Sequence, residues 1–268
     1  MSSVFLHKAV AACRYGYRQA LDALWWASTA ARTNLERLHA LRGVYAGRRG
    51  FVMGNGPSLM KTDVRRLRDE VTIGSNALFL IHEFMGYRPT FHTVEDVLVA
   101  EDRVRELNAM RGTIKIFPRD LAYCLKQDDA TIYVNFRRNY AGFPKFSDRF
   151  DDICYWGGTV SMLNLQLAYY LGCNPIYLIG FDHSYRVPPD LTSHIIHSDS
   201  DDVNHIHPDY FGKGYRWHDP MVERMERAYR VARGFFDAHG VRVYNATAGG
   251  RLEVFERVDF EKVLRAAA

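Results

Sequence analysis

Long apolar runs are missing from this chain: nothing approaches the roughly 18 consecutive apolar residues that a membrane-spanning helix needs. There is no compact apolar leader ending in a small-residue cleavage site, which argues against secretion. Internal repeats and low-complexity tracts are absent too. Cysteine is sparse. Its four copies, Cys13, Cys124, Cys154 and Cys173, never fall in C-x-x-C spacing. That argues against a zinc site and fits free thiols in a reducing cytoplasm. Two well-known phosphate fingerprints, G-x-G-x-x-G and G-x-x-x-x-G-K-[ST], also fail to match the glycine-rich strand end that invites them.

What is present is a 268-residue chain of ordinary globular composition, 47% hydrophobic and 25% charged. That length suits one large domain, or a domain with a small appendage. The net charge of +4 is unevenly spread. Residues 1–50 carry eight Lys/Arg against Asp22 and Glu36, a balance of +6, which leaves −2 for the remainder. Nucleic-acid binding by the body is therefore not expected. The basic arm, residues 1–48, reads as an amphipathic helix over about 5–42, with Tyr17, Leu21, Leu24, Trp25, Ala31, Leu35 and Leu38 at helical spacing. Its apolar face suits packing on its own domain or a second subunit. Trp25 and Trp26 among arginines suit peripheral contact with the inner face of a membrane instead.

From residue 49 onward, short apolar runs alternate with helical patterns. Strands are predicted over 51–54, 71–75, 90–94, 113–117, 131–135, 175–180 and 241–245, and helices over 59–68, 97–110, 160–171 and 221–239. This alternation predicts βα units in a doubly wound, mostly parallel α/β sheet of the Rossmann-like kind, filling residues 49–268. Ligands of such sheets sit beyond the carboxyl ends of the strands, at the switch point. Four strand ends bring polar groups to that edge: the Gly54-Asn55-Gly56-Pro57-Ser58 turn, Asn76, Glu95-Asp96 and Asp182.

The turn at 54–58 lets backbone N–H groups approach a phosphate, ribose or nucleotide at a helix N-terminus. A plain connection capped by Ser58 is the other reading. A second glycine-rich helix entry is Gly157-Gly158-Thr159, with Thr159 as cap and ligand donor. Glu95 and Asp96 either bind a ribose or acceptor sugar, or cap the helix at Val97.

Residues 182–219 form an unusually long segment holding six of the eleven histidines and several aromatics, which predicts a lid. His205-Ile206-His207 lacks clear third and fourth ligands, so no metal site is expected. His218, in Trp217-His218-Asp219-Pro220 at the predicted start of the last long helix, is the leading general base, with His205 next. Tyr210, Lys213, Tyr215 and Arg216 are candidates to neutralise a leaving phosphate.

Four islands carry a family resemblance: Gly54-Asn55-Gly56-Pro57-Ser58-Leu59; Ser75-Asn76; Gly158-Thr159-Val160; and the run Leu171 through Asp182. They resemble the bacterial sialyltransferases of glycosyltransferase family 42 and the MptE-like domain. The latter occurs in archaeal 6-hydroxymethylpterin diphosphokinases and in flagellin-modifying and polysaccharide-associated bacterial proteins. Tyr244 through Gly250 is also similar to the MptE-like pattern.

The sialyltransferase resemblance implies a Rossmann-like, GT-A-like fold and a cytoplasmic enzyme of surface-glycan synthesis. Its reaction would be a metal-independent, inverting transfer from a CMP-activated sugar to a glycan or glycolipid, with no cofactor. It implies Asn55 and Asn76 on the nucleotide, the Gly157–Thr159 turn near phosphate or cytidine, and His218 as base. The family's tyrosine pair after the Gly-x-Asp strand end is reduced here to Tyr185 at most. Tyr210 or Tyr215 would then substitute, and the donor sugar is open among sialic acid, Kdo and related nonulosonic acids. The MptE-like resemblance implies an alternative: diphosphotransfer from ATP to a pterin, with Mg²⁺ on carboxylates such as Asp96 and Asp182.

Overall fold

The computed structural model describes residues 20–188 and 193–265. Its centre is an eight-stranded sheet of β1 (Gly50–Met53), β2 (Val71–Ser75), β3 (Phe91–Thr93), β4 (Ile114–Pro118), β5 (Thr131–Val134), β8 (Ile176–Ile179), β11 (Val243–Asn245) and β12 (Glu256–Arg257). The order is β12-β11-β8-β1-β2-β3-β4-β5, and every neighbouring pair is parallel. The fold is therefore the doubly wound, Rossmann-like α/β sheet predicted from the alternation. All four residues of β1 are buried, as a strand covered on both faces must be.

Successive side chains of β1 feed different layers. Val52 joins the core under helices α5 (Val160–Tyr170) and α6 (Val222–Ala238), whereas Phe51 and Met53 meet Leu59, Val64, Leu67 and helix α7 (Phe260–Arg265) on the other face. The chain runs outward from β1 to β5 and then returns to β8 on β1's other flank. The switch point thus lies between the carboxyl ends of β1 and β8.

Several predicted elements differ in detail. The helix expected over 59–68 is two 3₁₀ turns, Pro57–Lys61 and Val64–Leu67. The helix expected over 97–110 breaks at Arg103 into α3 (Val97–Asp102) and α4 (Val104–Ala109). Short helix α2 (His82–Met85) ends at Gly86, whose φ of 70° explains the glycine. Strand β12, β6 (Phe136–Arg137) with β7 (Cys154–Tyr155), and β9 (Ile195–His197) with β10 (Arg216–His218) are too short to leave a periodic signal. No helix among the described residues is long and apolar enough to cross a membrane.

The arm is not one continuous helix where it is described; its residues 1–19, Tyr17 among them, lie outside the described residues. A helical stretch over 20–26 stops at 27–28, and Ser28 caps α1 (Thr29–His39) by accepting from the Ala31 N–H. Helix α1 packs on edge strand β5. The Asn34 amide donates to the Tyr133 carbonyl at 2.8 Å and accepts from the Tyr133 N–H at 2.7 Å, while Arg37 donates to the Thr131 carbonyl. These side chains occupy the backbone groups that an open edge would leave for another strand. Trp25 lies edge-on to Tyr133 at 5.6 Å, with the Arg119 guanidinium 4.7 Å over it.

Asn34→Ala removes two buried hydrogen bonds to Tyr133. It is expected to lower unfolding free energy by about 2 kcal/mol, read from urea titration of the full chain. An unchanged midpoint would contradict the edge-capping account.

Candidate functional site

The two strand ends at the switch point come unusually close. A Cβ on Gly54 would enter the Gly180 carbonyl, and one on Gly56 would enter the Asp182 carboxylate. Gly54 and Gly56 donate their N–H groups to the carbonyls of Ile179 and Gly180. Ser58 donates its N–H to Asp182 at 3.2 Å and its hydroxyl at 2.6 Å. The structure narrows the phosphate-turn expectation: the amides of Gly54, Gly56 and Ser58 are already spent on β8 and its loop, Pro57 has none, and the Asn55 N–H is the one amide of the turn without an acceptor among the described residues. Asp182 stands where the anion was expected. Ser58 is buried, and neither it nor Pro57 lines the cleft that opens here.

That cleft encloses about 670 Å³, within the usual range of small-molecule sites. Gly54, Asn55, Gly56, Asn76, Glu95, Asp96, Gly158, Thr159, Asp182, His205, Tyr210 and His218 all line it. Seven of these twelve, Gly54, Asn55, Gly56, Asn76, Glu95, Asp96 and Asp182, come from the strand ends read from the alternation; Gly158 and Thr159 come from the second glycine-rich turn and the three others from the lid.

Asn55 and Asn76 form one end. Asn55 donates to the Ser75 hydroxyl at 3.2 Å. Asn76 adopts a φ of 52°, uncommon outside glycine, and its carbonyl bonds His92 Nε2 at 2.9 Å. Burial pushes His92 down to about 3, so the ring is neutral at pH 7. The Oδ1 atoms of Asn55 and Asn76 are both buried without a partner among the described residues. A buried acceptor left unmatched is costly, which makes both of them ready for a ligand's donors.

The second glycine corner faces the same space. Thr159 caps α5 by accepting from the Ser161 N–H. The backbone N–H groups of Gly158, Thr159 and Val160 find no acceptor among the described residues. Gly158 (φ 84°) lies against Arg224, whose Nε is buried and unpartnered and whose guanidinium lies 4.7 Å over Trp156. Gly157 does not line the cleft; it gives room to Met162.

At the end of β3, Asp96 has two tasks. Oδ1 accepts from the N–H groups of Leu98 and Val99, capping α3, while Oδ2 holds His218 Nδ1 at 2.9 Å. This bond raises the His218 pKa, with burial opposing. Nε2 is then the ring nitrogen left for a cleft ligand. His218 does not lead into the last helix as expected: it ends β10, and α6 starts at Val222 after Asp219 accepts from the Met221 N–H. Neighbouring Glu95 is 6% exposed, and burial pushes it up to about 7 despite Arg138 at 3.2 Å.

The lid is a built wall. Arg103 reaches the carbonyls of Asp209 and Tyr210, and the Ile206 N–H donates to the Asn55 carbonyl. His205 bonds Asp202 at 2.8 Å through Nδ1 and stacks on Tyr210 with ring centroids 4.2 Å apart. Tyr210 lines the cleft, and burial raises the pKa of its phenol. Tyr215 and Arg216 lie away from the cleft. Arg216 is taken by Asp102 and Glu101, and Tyr215 lies 3.7 Å beneath the Arg103 guanidinium. Residues 189–192 of the lid lie outside the described residues.

Tyr185, the remnant of the family's tyrosine pair, lines the cleft, and so do Arg138, Arg224, Trp156 and His183, which were not singled out. Arg138 directly follows the two-residue strand β6, which leaves no periodic signal of its own. Arg224, inside the first turn of an amphipathic helix, leaves no sequence signal.

Among the described residues no group of three or more His, Cys, Asp or Glu is arranged to hold a metal ion. The carboxylates expected to hold Mg²⁺ in the diphosphotransfer alternative do not fit that use: Asp96 is shared between α3 and His218, and Asp182 is bonded by Ser58.

No curated protein matches the sequence. Among solved structures, the chain is similar to the MAf glycosyltransferase from Magnetospirillum magneticum AMB-1, at 16% identity and a TM-score of 0.49, over 88% of this chain and 40% of that one. This chain therefore spans two fifths of that protein's length. It is also similar to the sialyltransferase CstII from Campylobacter jejuni, solved in complex with a substrate analogue, cytidine-5'-monophosphate, at 13% identity and a TM-score of 0.40, over 80% and 85% of the two chains. The family model described as 6-hydroxymethylpterin diphosphokinase MptE-like matches residues 28–188, more than half of the sequence. The chain belongs to the MptE-like family.

Proposed function

We propose that this protein is an inverting glycosyltransferase that moves an acidic sugar from a CMP-activated donor to a hydroxyl of a glycan or glycolipid. The observation that carries this reading is the Asp96–His218 pair, opening on the cleft that also holds the Asn55–Asn76 acceptors. The sequence islands that resemble family 42 sialyltransferases supply much of that lining.

A base for an acceptor hydroxyl must be unprotonated and rigidly aimed. Asp96 meets the second need because its own carboxylate is oriented by two N–H groups of α3, and it stabilises the imidazolium as the proton arrives. The unpaired amides at the start of α5 suit cytosine's carbonyl and ring nitrogen, and the buried Asn oxygens suit ribose hydroxyls or an exocyclic amine. Arg224 shares the neighbourhood of His218 and Glu95, so its unpartnered Nε suits the carboxylate of an acidic sugar. Glu95, whose pKa burial pushes up to about 7, can donate to or accept from a sugar hydroxyl. Peripheral membrane contact and self-association belong to this proposal through the arm, acting at the inner membrane face.

Diphosphotransfer to a pterin is disfavoured because its Mg²⁺ carboxylates are committed elsewhere. Chelation with EDTA is accordingly expected to leave turnover unchanged, and a loss restored by Mg²⁺ would favour diphosphotransfer.

Calorimetric titration with CMP, CTP and ATP tests the nucleotide; absence of CMP binding rejects the reading. His218→Gln should keep CMP affinity while lowering turnover by about 10²–10³. Asp96→Asn keeps the helix cap, since Asn caps as well as Asp, but removes the charge that raises His218. Activity rises with pH as His218 deprotonates, so this variant's rise should shift to lower pH; an unshifted profile contradicts the assignment.

A further inference from the structure

We propose that His205, held by Asp202, is the group that receives the donor's leaving phosphate: it hydrogen-bonds the phosphate and protonates the oxygen that leaves the sugar. The inference rests on the glycosyl-transfer reading and concerns the half of the reaction that His218 does not serve.

Of the tyrosines expected to substitute in this task, Tyr215 is outside the cleft under Arg103, and Tyr210 lies with its ring flat against His205. Tyr185 lines the cleft beside His205, with ring centroids 6.2 Å apart. His205 lines the cleft as part of a second histidine–carboxylate pair. Asp202 is itself fixed: Oδ1 accepts from the Asn204 N–H at 2.7 Å and Oδ2 from the Phe211 N–H at 3.0 Å. The imidazole stacks flat on Tyr210 and meets Phe211 edge-on at 5.1 Å. With Nδ1 on Asp202 and both the face and the edge packed, Nε2 is the nitrogen available to a ligand.

Position supplies the second argument. The residue after His205 bonds the Asn55 carbonyl, which ties His205 to the end of β1. His218 is tied through Asp96 to the end of β3. One strand, β2, separates them in the sheet, so at about 4.8 Å per strand the two anchor points stand about 10 Å apart. An inverting displacement puts attacking and leaving oxygens on opposite sides of the anomeric carbon. Inverting glycoside hydrolases separate their two catalytic groups by a similar span, roughly 6.5–9.5 Å. Both histidines line the one cleft, and this spacing of their anchors would set the sugar ring between them, with the acceptor on the β3 side and the nucleotide on the Asn55 side.

The step balances. The acceptor oxygen bonds the anomeric carbon as its proton passes to His218 Nε2. The bond from that carbon to the phosphate oxygen breaks, its electron pair stays on the phosphate, and that oxygen takes the Nε2 proton of His205. No net proton is gained or lost.

The test compares CMP with cytidine, which lacks the phosphate, by calorimetry on the full chain. His205→Asn is the main variant, because the Asn amide can keep the bond to Asp202 while the cleft-facing nitrogen is removed; Asp202→Asn is the second. A charge-assisted bond to phosphate predicts that His205→Asn weakens CMP by about tenfold or more, with cytidine within about twofold of wild type. Asp202→Asn should weaken CMP selectively as well, and turnover of CMP-N-acetylneuraminate or CMP-Kdo should fall in kcat more than KM rises. Equal loss of CMP and cytidine would mean a structural role and overturn the inference, as would unchanged CMP binding. Wild-type protein that binds no CMP would instead reject the donor reading itself, and this proposal with it.

Discussion

The close approach of β1's turn to β8's end is the constraint on which the rest of the molecule depends. Parallel neighbours are about 4.8 Å apart along the hydrogen-bonding direction, and here the chains leaving them touch. Gly54 and Gly56 have no Cβ because Gly180 and Asp182 occupy that space. Asp182 then ties off Ser58, so the turn becomes rigid rather than receptive. Its glycines shape the floor of the cleft and aim Asn55 into it. The open groups at this end are the side-chain oxygens and the Asn55 N–H, and three further open main-chain donors lie across the cleft at the start of α5.

Asp96 shows how one carboxylate can join fold to chemistry. Burying or fixing an anion is costly unless its lone pairs are used. One oxygen is used by α3's first turn and the other by His218. The cap fixes the carboxylate, the carboxylate fixes the ring, and the ring's remaining nitrogen is left in the cleft. Arg216 contributes from outside: its ion pairs with Glu101 and Asp102 at the far end of α3 clamp β10, the strand that ends at His218.

Much of this was legible in the sequence because it follows from alternation. Seven apolar runs predicted seven of the eight central strands, and the rule that strand ends carry ligands led to Asn55, Asn76, Glu95, Asp96 and Asp182. Legibility stopped where tertiary contacts decide. Leu59, Val64 and Leu67 have helical spacing, yet the segment is two 3₁₀ turns held under α7. Ser58 looks like a ligand-binding cap until Asp182, 124 residues away, is seen to fill that place. Tyr215 and Arg216 sit in a run of plausible phosphate binders, but the partners that remove them, Arg103 and Asp102, lie on a different element. The break at 27–28 likewise depends on α1 docking against β5, which the arm's own periodicity does not encode.

On the glycosyl-transfer reading proposed above, the division of spent and unspent groups suits proton-transfer chemistry. Hard cations such as Mg²⁺ need carboxylate oxygens free to turn toward them. Here Asp96, Asp182 and Asp202 each accept backbone N–H groups, so all three are fixed by the fold. What the fold leaves uncommitted is of another kind: two amide oxygens, the amides at a helix start, one arginine Nε and the outer nitrogens of two imidazoles. Such a set can match a nucleotide's hydrogen-bonding edge, hold an anion and move protons between two oxygens. It does so with groups whose positions are set before any ligand arrives, which is the condition under which modest individual interactions add up to catalysis.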